Sequence, residues 1–218
     1  MQATEINTFA KEHKTQMTKY LFTLLAVVFT IHFSEAQTAK DYFMSGVKKD
    51  QAGDHAGAIE EYTKSIAQDS TRFQTFNNRG ISKNDIGDLK GALKDYNKAI
   101  ELNPKIADTY NNRGNVKDKL KDYKGAIKDY TKAIELDPKN TFAFYNRGNS
   151  KTDLGSYSEA IKDFTKSIAL KPDYARAYFN RAIAKQHIND KAGACADFRK
   201  AEKLGYSKAT EEIKKNCQ

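Results

Sequence analysis

The sequence predicts an all-α fold, an α-solenoid of stacked antiparallel helix pairs, and three observations predict it. All three prolines of the chain, Pro104, Pro138 and Pro172, stand at i, i+34 and i+68. Gly46, Gly80, Gly114 and Gly148 keep that spacing, with Ala182 in the next slot. An aromatic residue stands four positions before each of these (Tyr42, Phe76, Tyr110, Phe144, Tyr178), and an alanine twelve after (Ala58, Ala92, Ala126, Ala160, Ala194). A fixed period of about 20–50 residues marks a repeat architecture, in which one unit cannot bury its apolar face until a neighbour stacks on it.

Each unit reads as two helices. In the third, apolar or small residues recur at helical spacing from Asp108 to Leu120 and from Tyr123 to Leu136, with Lys121-Asp122 as the turn. A helix of about 14 residues is about 21 Å long. Gly114 and Ala126 are small where the helices cross closely, and Tyr110 and Tyr130 fill the space beside the crossing. Pro138 cannot continue the second helix and helps end it. The register divides residues 37–206 into units at 39–72, 73–106, 107–140, 141–174 and 175–206. Residues 1–36 form an N-terminal extension, and 207–218 a capping helix and tail with Ala209 and Ile213 inward. The ends depart from the pattern as caps should: Ser70 replaces proline in unit one, and unit five has Ala182, Glu202 and Tyr206 at its glycine, isoleucine and proline slots.

The series aromatic-x-x-x-Gly, Ala-x-x-x-aromatic, Pro, read in unit three as Tyr110, Gly114, Ala126, Tyr130 and Pro138, resembles the tetratricopeptide repeat over residues 39 to about 206. The resemblance implies a right-handed superhelix, a concave groove lined by the first helix of each pair, and other proteins or peptides as partners. Two slots depart from the family. Arg79, Arg113, Arg147 and Arg181 stand where leucine is usual, and Lys49, Lys83, Lys117, Lys151 and Lys185 where tyrosine is.

The arginines are matched at i+16 by Asp95, Asp129, Asp163 and Asp197, while unit one has Ser45 and Glu61. Structural ion pairs across the two helices of each unit are expected: Arg79 with Asp95, Arg113 with Asp129, Arg147 with Asp163, Arg181 with Asp197. The lysines alternate with Asp85, Asp118 and Asp153 and read as a solvated face. A polyanion held by those lysines is the weaker alternative, and its binding would fall steeply with salt.

The N-terminus reads as a secretory signal. Lys19 precedes an apolar run from Tyr20 to Phe33, followed by Ser34-Glu35-Ala36 before Gln37. That run is shorter than a spanning helix, which needs about 20 residues. Translation starts at Met1 or Met17, the stretch before Met17 adding nothing a signal needs. Loss of residues 1–36 removes three lysines and three glutamates and leaves the charge at +9. Export to the periplasm, cell envelope or exterior makes an acidic protein or the envelope surface a better partner than nucleic acid, with membrane contact only through the signal. Only Cys195 and Cys217 are present. In an exported chain they are expected to bridge, pinning the cap with about 3 kcal/mol in the chain-entropy model; the alternative is that Cys195 serves as a small hydrophobe.

On the first helices, Asn78, Asn112, Asn146 and Asn180 stand in register with Met44, on the face opposite the glycines. Beside them run Asn115 and Asn149, with Val47, Ile81 and Ile183 in the same slot, and then Phe43, Asn77, Asn111, Tyr145 and Phe179. Phe142 and Arg176 extend that surface. Asparagine is a poor helix former, so four in register ask for a reason. A carboxamide can match the N–H and C=O of any bound backbone. Rungs about 10 Å apart would meet an extended peptide every three residues or so. This resembles the asparagine ladder of O-linked N-acetylglucosamine transferases, which grips extended protein segments. The alternative is that the asparagines bond between neighbouring units and touch no ligand.

A clamp for C-terminal carboxylates, another mode of the family, lacks its cations here: its slots hold Asn77, Ile81, Asn112, Asp108 and Asn146. No catalytic constellation, metal-ligand spacing or phosphate-cradling glycine loop is present, His55 and His187 being isolated, so neither an enzyme, a cofactor, a metal nor a small-molecule substrate is expected. The expected function is an adaptor or scaffold binding an extended polypeptide, with a structural component of an envelope assembly, using convex or edge surfaces, as the alternative.

Overall fold

The structure, a computed structural model, describes residues 16, 17, 19 and 37–217. The chain divides into Met1–Gln37 and Thr38–Gln218. The apolar run at 20–33 and the Ser34-Glu35-Ala36 pattern lie outside the described residues.

Within the second unit the helices follow in pairs: α1 Ala39–Gln51 and α2 His55–Gln68, α3 Phe73–Asp85 and α4 Leu89–Leu102, α5 Ala107–Lys119 and α6 Tyr123–Leu136, α7 Thr141–Asp153 and α8 Tyr157–Leu170, α9 Ala175–His187 and α10 Lys191–Lys203. A shorter α11, Lys208–Asn216, closes the array against α10. No strand occurs among the described residues. The molecule is an all-α solenoid. In unit three the first helix stops at Lys119 with Leu120 as its C-cap, one residue short of the periodicity, because the turn begins there.

Local chemistry starts four of the second helices in one way. Asp54, Asp88, Asp122 and Asp190 accept the backbone N–H of Gly57, Gly91, Gly125 and Gly193 at 2.9–3.0 Å, satisfying a donor the helix leaves open. Any side chain on those glycines would strike the carboxylate. The counterpart in unit four, Ser156, makes no such bond. At the far end, Asp69, Asn103 and Asp137 turn extended alike, a conformation that the proline after the last two suits and that Asp69 adopts with Ser70 after it.

Packing within a unit rests on a ring laid across a glycine. Tyr62, Tyr96, Tyr130 and Phe164 lie against Gly46, Gly80, Gly114 and Gly148, and a Cβ on Gly114 would come 2.6 Å from the Tyr130 ring. Unit five uses Phe198 with Ala182 instead, in a cluster that Tyr206, Ala209 and Ile213 of the closing segment cover. Cys195 and Cys217 form a disulfide with Cα atoms 5.5 Å apart, which ties the end of α11 to α10.

First helices of successive units approach one another directly, whereas second helices reach the next unit principally through its first helix. The array therefore curves with its first helices on the inner side, and that side is the groove.

Candidate functional site

The groove stands on a charged framework. Arg79, Arg113, Arg147 and Arg181 each grip Asp95, Asp129, Asp163 and Asp197 through Nε and Nη2 at 2.6–2.9 Å. The third nitrogen, Nη1, donates to Thr63, Asn97, Thr131 or Thr165 on the second helix of the preceding unit. Each guanidinium also lies 5.5–5.7 Å from the ring of Phe76, Tyr110, Phe144 or Tyr178. One residue thus joins both helices of its unit to the unit before. That inter-unit bond escaped the sequence reading, although its acceptors repeat with the same period as the arginines.

The lysines correct an expectation. Lys83, Lys117, Lys151 and Lys185 do not form a solvated face: each ammonium closes on the same buried aspartate at 2.7–2.8 Å. Arginine and lysine together neutralise a carboxylate that is only 2–7% exposed. In units two to five the departures from the family's leucine and tyrosine slots meet on one aspartate, since an arginine there needs the carboxylate and leaves it room for a second cation. In unit one, with serine in place of arginine, Glu61 takes Lys64 at 2.8 Å and Lys49 at 3.5 Å. The Lys64 bond holds the Glu61 carboxyl below its ordinary value.

The groove asparagines are half-buried and fall into two kinds. Asn146 Nδ2 donates to Asn111 Oδ1 at 3.2 Å and Asn115 Oδ1 at 2.9 Å on the preceding first helix. Asn180 Nδ2 donates likewise to Tyr145 Oη at 3.0 Å and Asn149 Oδ1 at 2.8 Å. Both amide protons of these two rungs tie neighbouring units, so only Oδ1 is left toward the groove. Asn112 makes no such bond among the described residues, and Asn77 turns its amide to Asn78 Oδ1 at 3.3 Å, leaving its own oxygen buried and unpartnered.

The flanking aromatics are packed rather than free. Phe43 tilts on Tyr62 beneath Arg72. Tyr145 lies 4.9 Å from Tyr174, and Phe179 the same distance from Tyr206. Burial pushes the Tyr174 hydroxyl up to about 12. Phe142 is the exception: 53% exposed, it meets Tyr174 edge-on from the groove side of α7.

Beneath the asparagines, Asp118 accepts Tyr130 Oη and Ser150 Oγ at 2.7 Å each, joining units three and four. Burial holds its carboxyl above the ordinary value, with Asp153 and Asp122 adding to the rise and the two hydroxyl bonds opposing it. Two units earlier, Asp50 accepts Tyr62 and Ser82 at 2.9 Å in the same positions, with His55 Nδ1 at 3.1 Å. The other isolated histidine, His187, stacks on Tyr157. Among the described residues no group of three His, Cys, Asp or Glu is placed to hold a metal ion.

Comparison with known proteins agrees with this geometry. The tetratricopeptide repeat profile matches residues 107–140, and a related TPR repeat profile matches 82–121 and 148–187. No curated protein matches the chain. Among solved structures, a MamA is 28% identical with a TM-score of 0.70, the match covering 76% of this chain and 96% of that one. MamA from Desulfovibrio magneticus RS-1 is 20% identical, with a TM-score of 0.73 over 80% of this chain and 98% of that one. YrrB, described as a TPR protein with an unusual peptide-binding site, is 21% identical, with a TM-score of 0.70 over 81% of this chain and 92% of that one. With its repeat register, its paired helices and these matches, the chain belongs to the tetratricopeptide repeat family, whose fold is a protein-interaction scaffold.

Proposed function

We propose that the protein is an exported adaptor, without catalysis of its own, that holds an extended segment of another polypeptide along the groove of its first helices. One observation carries this reading: the groove face offers one carboxamide per unit from Asn78 to Asn180, and the bonds between units leave capacity over. Asn112 is unengaged among the described residues, and Asn146 and Asn180 keep Oδ1. An extended backbone presents a donor at intervals that such a row can meet. The half-exposed Phe142 supplies an apolar contact on the same face.

Export is supported by the apolar run at 20–33 with Ser34-Glu35-Ala36 after it, and by the Cys195–Cys217 disulfide, a bond that persists in oxidising compartments. Intact mass of the protein recovered from its cells tests this: a chain beginning at Gln37 with its disulfide closed is expected, and an uncleaved, fully reduced chain would refute it. For the groove, partners captured by the wild type are compared with those held by Asn112→Ala and Phe142→Ala, two changes outside the buried core. Loss of a partner with unchanged helicity is the expected result.

A second reading rests on a different surface. Ile86, Leu120, Leu154 and Ile188, 41–53% exposed, stand one in each of units two to five at the turn between the helices of a pair and repeat with the period of the array. An assembly component would use those side chains. Partners lost on Leu120→Asp with Leu154→Asp, and kept by the groove variants, would favour it. Polyanion binding through Lys83, Lys117, Lys151 and Lys185 has little support, because those ammonium groups are held on aspartates.

A further inference from the structure

The groove between units four and five contains an open cleft of about 240 Å³, lined by Asn149, Thr152, Asp153, Asn180 and Ile183. Its lining is mostly acceptors, Asn149 keeping the donor side of its amide because its Oδ1 takes Asn180 Nδ2. The amide protons of Asn180 are both engaged with Tyr145 and Asn149, so this residue can offer the cleft only an acceptor oxygen. Thr152 Oγ1 gives its proton to Gly148 O at 2.9 Å and is likewise left with lone pairs. Asp153 has no hydrogen bond or cation among the described residues, whereas the aspartates of the arginine framework hold two cations each. Ile183 gives the cleft an aliphatic wall.

The surroundings add negative charge. Asp118, one unit back along the groove, is also without a cation among the described residues; its carboxyl, raised chiefly by burial, is raised further by the charge of Asp153. Asp153, exposed at the end of α7, is itself raised by partial desolvation, and a cation brought to it would meet an unpaired carboxylate. The chain carries +9 overall, yet Arg147, Lys151, Arg181 and Lys185, on the two helices that line the cleft, are committed to Asp163 and Asp197, and Arg176, at the start of α9, acts on Tyr145 and Tyr174.

We propose that this cleft is a binding site for a basic side chain, a lysine or arginine of the extended polypeptide, with its methylene stem along Ile183 and its charged head shared by the Asp153 carboxylate and Asn180 Oδ1. The proposal rests on the reading of the groove as a polypeptide site and states what that polypeptide must carry. Phe142, near the opposite end of α7, lies about 16 Å from Asp153 along the helix. An extended segment lying along α7 would cover that distance in about five residues. A partner with a basic residue and an apolar or aromatic residue about five positions apart fits both contacts.

The test is selection of a displayed library of random dodecapeptides on the full chain, followed by affinity measurement of the enriched peptides on wild type, Asp153→Asn and Phe142→Ala. Asp153→Asn keeps the shape and removes the charge; because Asp153 is exposed, its fold should hold, and circular dichroism checks it. The expected result is enrichment of peptides with a basic residue, bound about tenfold or more weakly by Asp153→Asn and equally weakened when that residue becomes norleucine. Peptides weakened by Phe142→Ala but indifferent to Asp153→Asn, or enriched in acidic residues, would overturn the basic-residue site while leaving a groove that binds polypeptide. Failure to enrich any peptide would overturn both.

Discussion

The junction between units two and three and the junction between units three and four fill the same slots with opposite chemistry. At the second, Ser150 and Tyr130 converge on Asp118, and Asn146 reaches back to Asn111 and Asn115. At the first, Val116 stands in the serine's slot, fully buried with Tyr96 and Ile81, Asn84 replaces the aspartate, and Asn112 bonds nothing among the described residues. The polar arrangement returns at units one and two through Asp50, Tyr62 and Ser82. At units four and five the two are mixed: Ala184 fills the serine's slot and packs with Phe164, while Asn180 reaches back to Tyr145 and Asn149. The one-unit period of the sequence thus carries, in the buried slot of Ser82, Val116, Ser150 and Ala184, a slower two-unit alternation of hydroxyl and aliphatic side chain. The difference teaches that backbone stacking does not depend on what fills the joint. The glycine–ring contact and the arginine framework, common to both, set the spacing, and the joint is free to vary.

The largest effect should come from the framework, where the two joints ought not to differ. Asp129→Ala leaves Arg113 and Lys117 half-buried without their carboxylate and should cost about 3–5 kcal/mol in chemical unfolding. Asp95→Ala should cost as much; unequal losses would show that the joints, and not the framework, carry the stability.

Exchanging the joints comes next. Ser150→Val imports the apolar solution into the polar joint, deprives Asp118 of a donor and should cost about 1–3 kcal/mol. A neutral result would mean that the Asp118 network is dispensable. At the groove surface the contrast should be sharper still in ratio: Asn146→Ala removes two bonds between units and should cost about 1–2 kcal/mol. Asn112→Ala removes none, gains helix propensity and should stay within about 0.5 kcal/mol of the wild type. Equal effects would erase the distinction between structural and free rungs.

The smallest effect is one of pH. A carboxyl whose folded pKa is raised favours the folded state when protonated, and that contribution is lost as pH rises through the raised value. Asp118 is such a group, so wild type should lose stability relative to Asp118→Asn as pH climbs above the ordinary carboxylate value of about 4. The difference in melting temperature, variant minus wild type, should therefore grow with pH and level off once the raised value is passed. A constant difference would place the carboxyl outside the burial argued for it.

What the residues alone determined was whatever repeats. Glycine, aromatic, alanine and proline at one constant spacing specify two helices and a turn several times over, since each slot answers a local steric or capping demand independently of its neighbours. The arginine and its aspartate at i+16 were legible for the same reason: both vary in step. The lysines were misread because their alternation with Asp85, Asp118 and Asp153 looks like a solvated face in one dimension, and only the fold shows that a four-carbon stem from Lys83 or Lys117 reaches the aspartate that the arginine already holds.

Only the tertiary structure decided which asparagines are free. Asn112, Asn146 and Asn180 are equivalent in register, but the partners of the last two lie on the neighbouring unit, and Asn115 and Asn149 have Ile81 as their counterpart in unit two. Hydrogen bonds between units depend on two slots at once, so a pattern read one slot at a time sees a uniform ladder. Three dimensions turn its last three rungs into two braces and one open position, with Asn78 engaged by Asn77 and Tyr62, and place a cleft rich in acceptors beside the last of the braces.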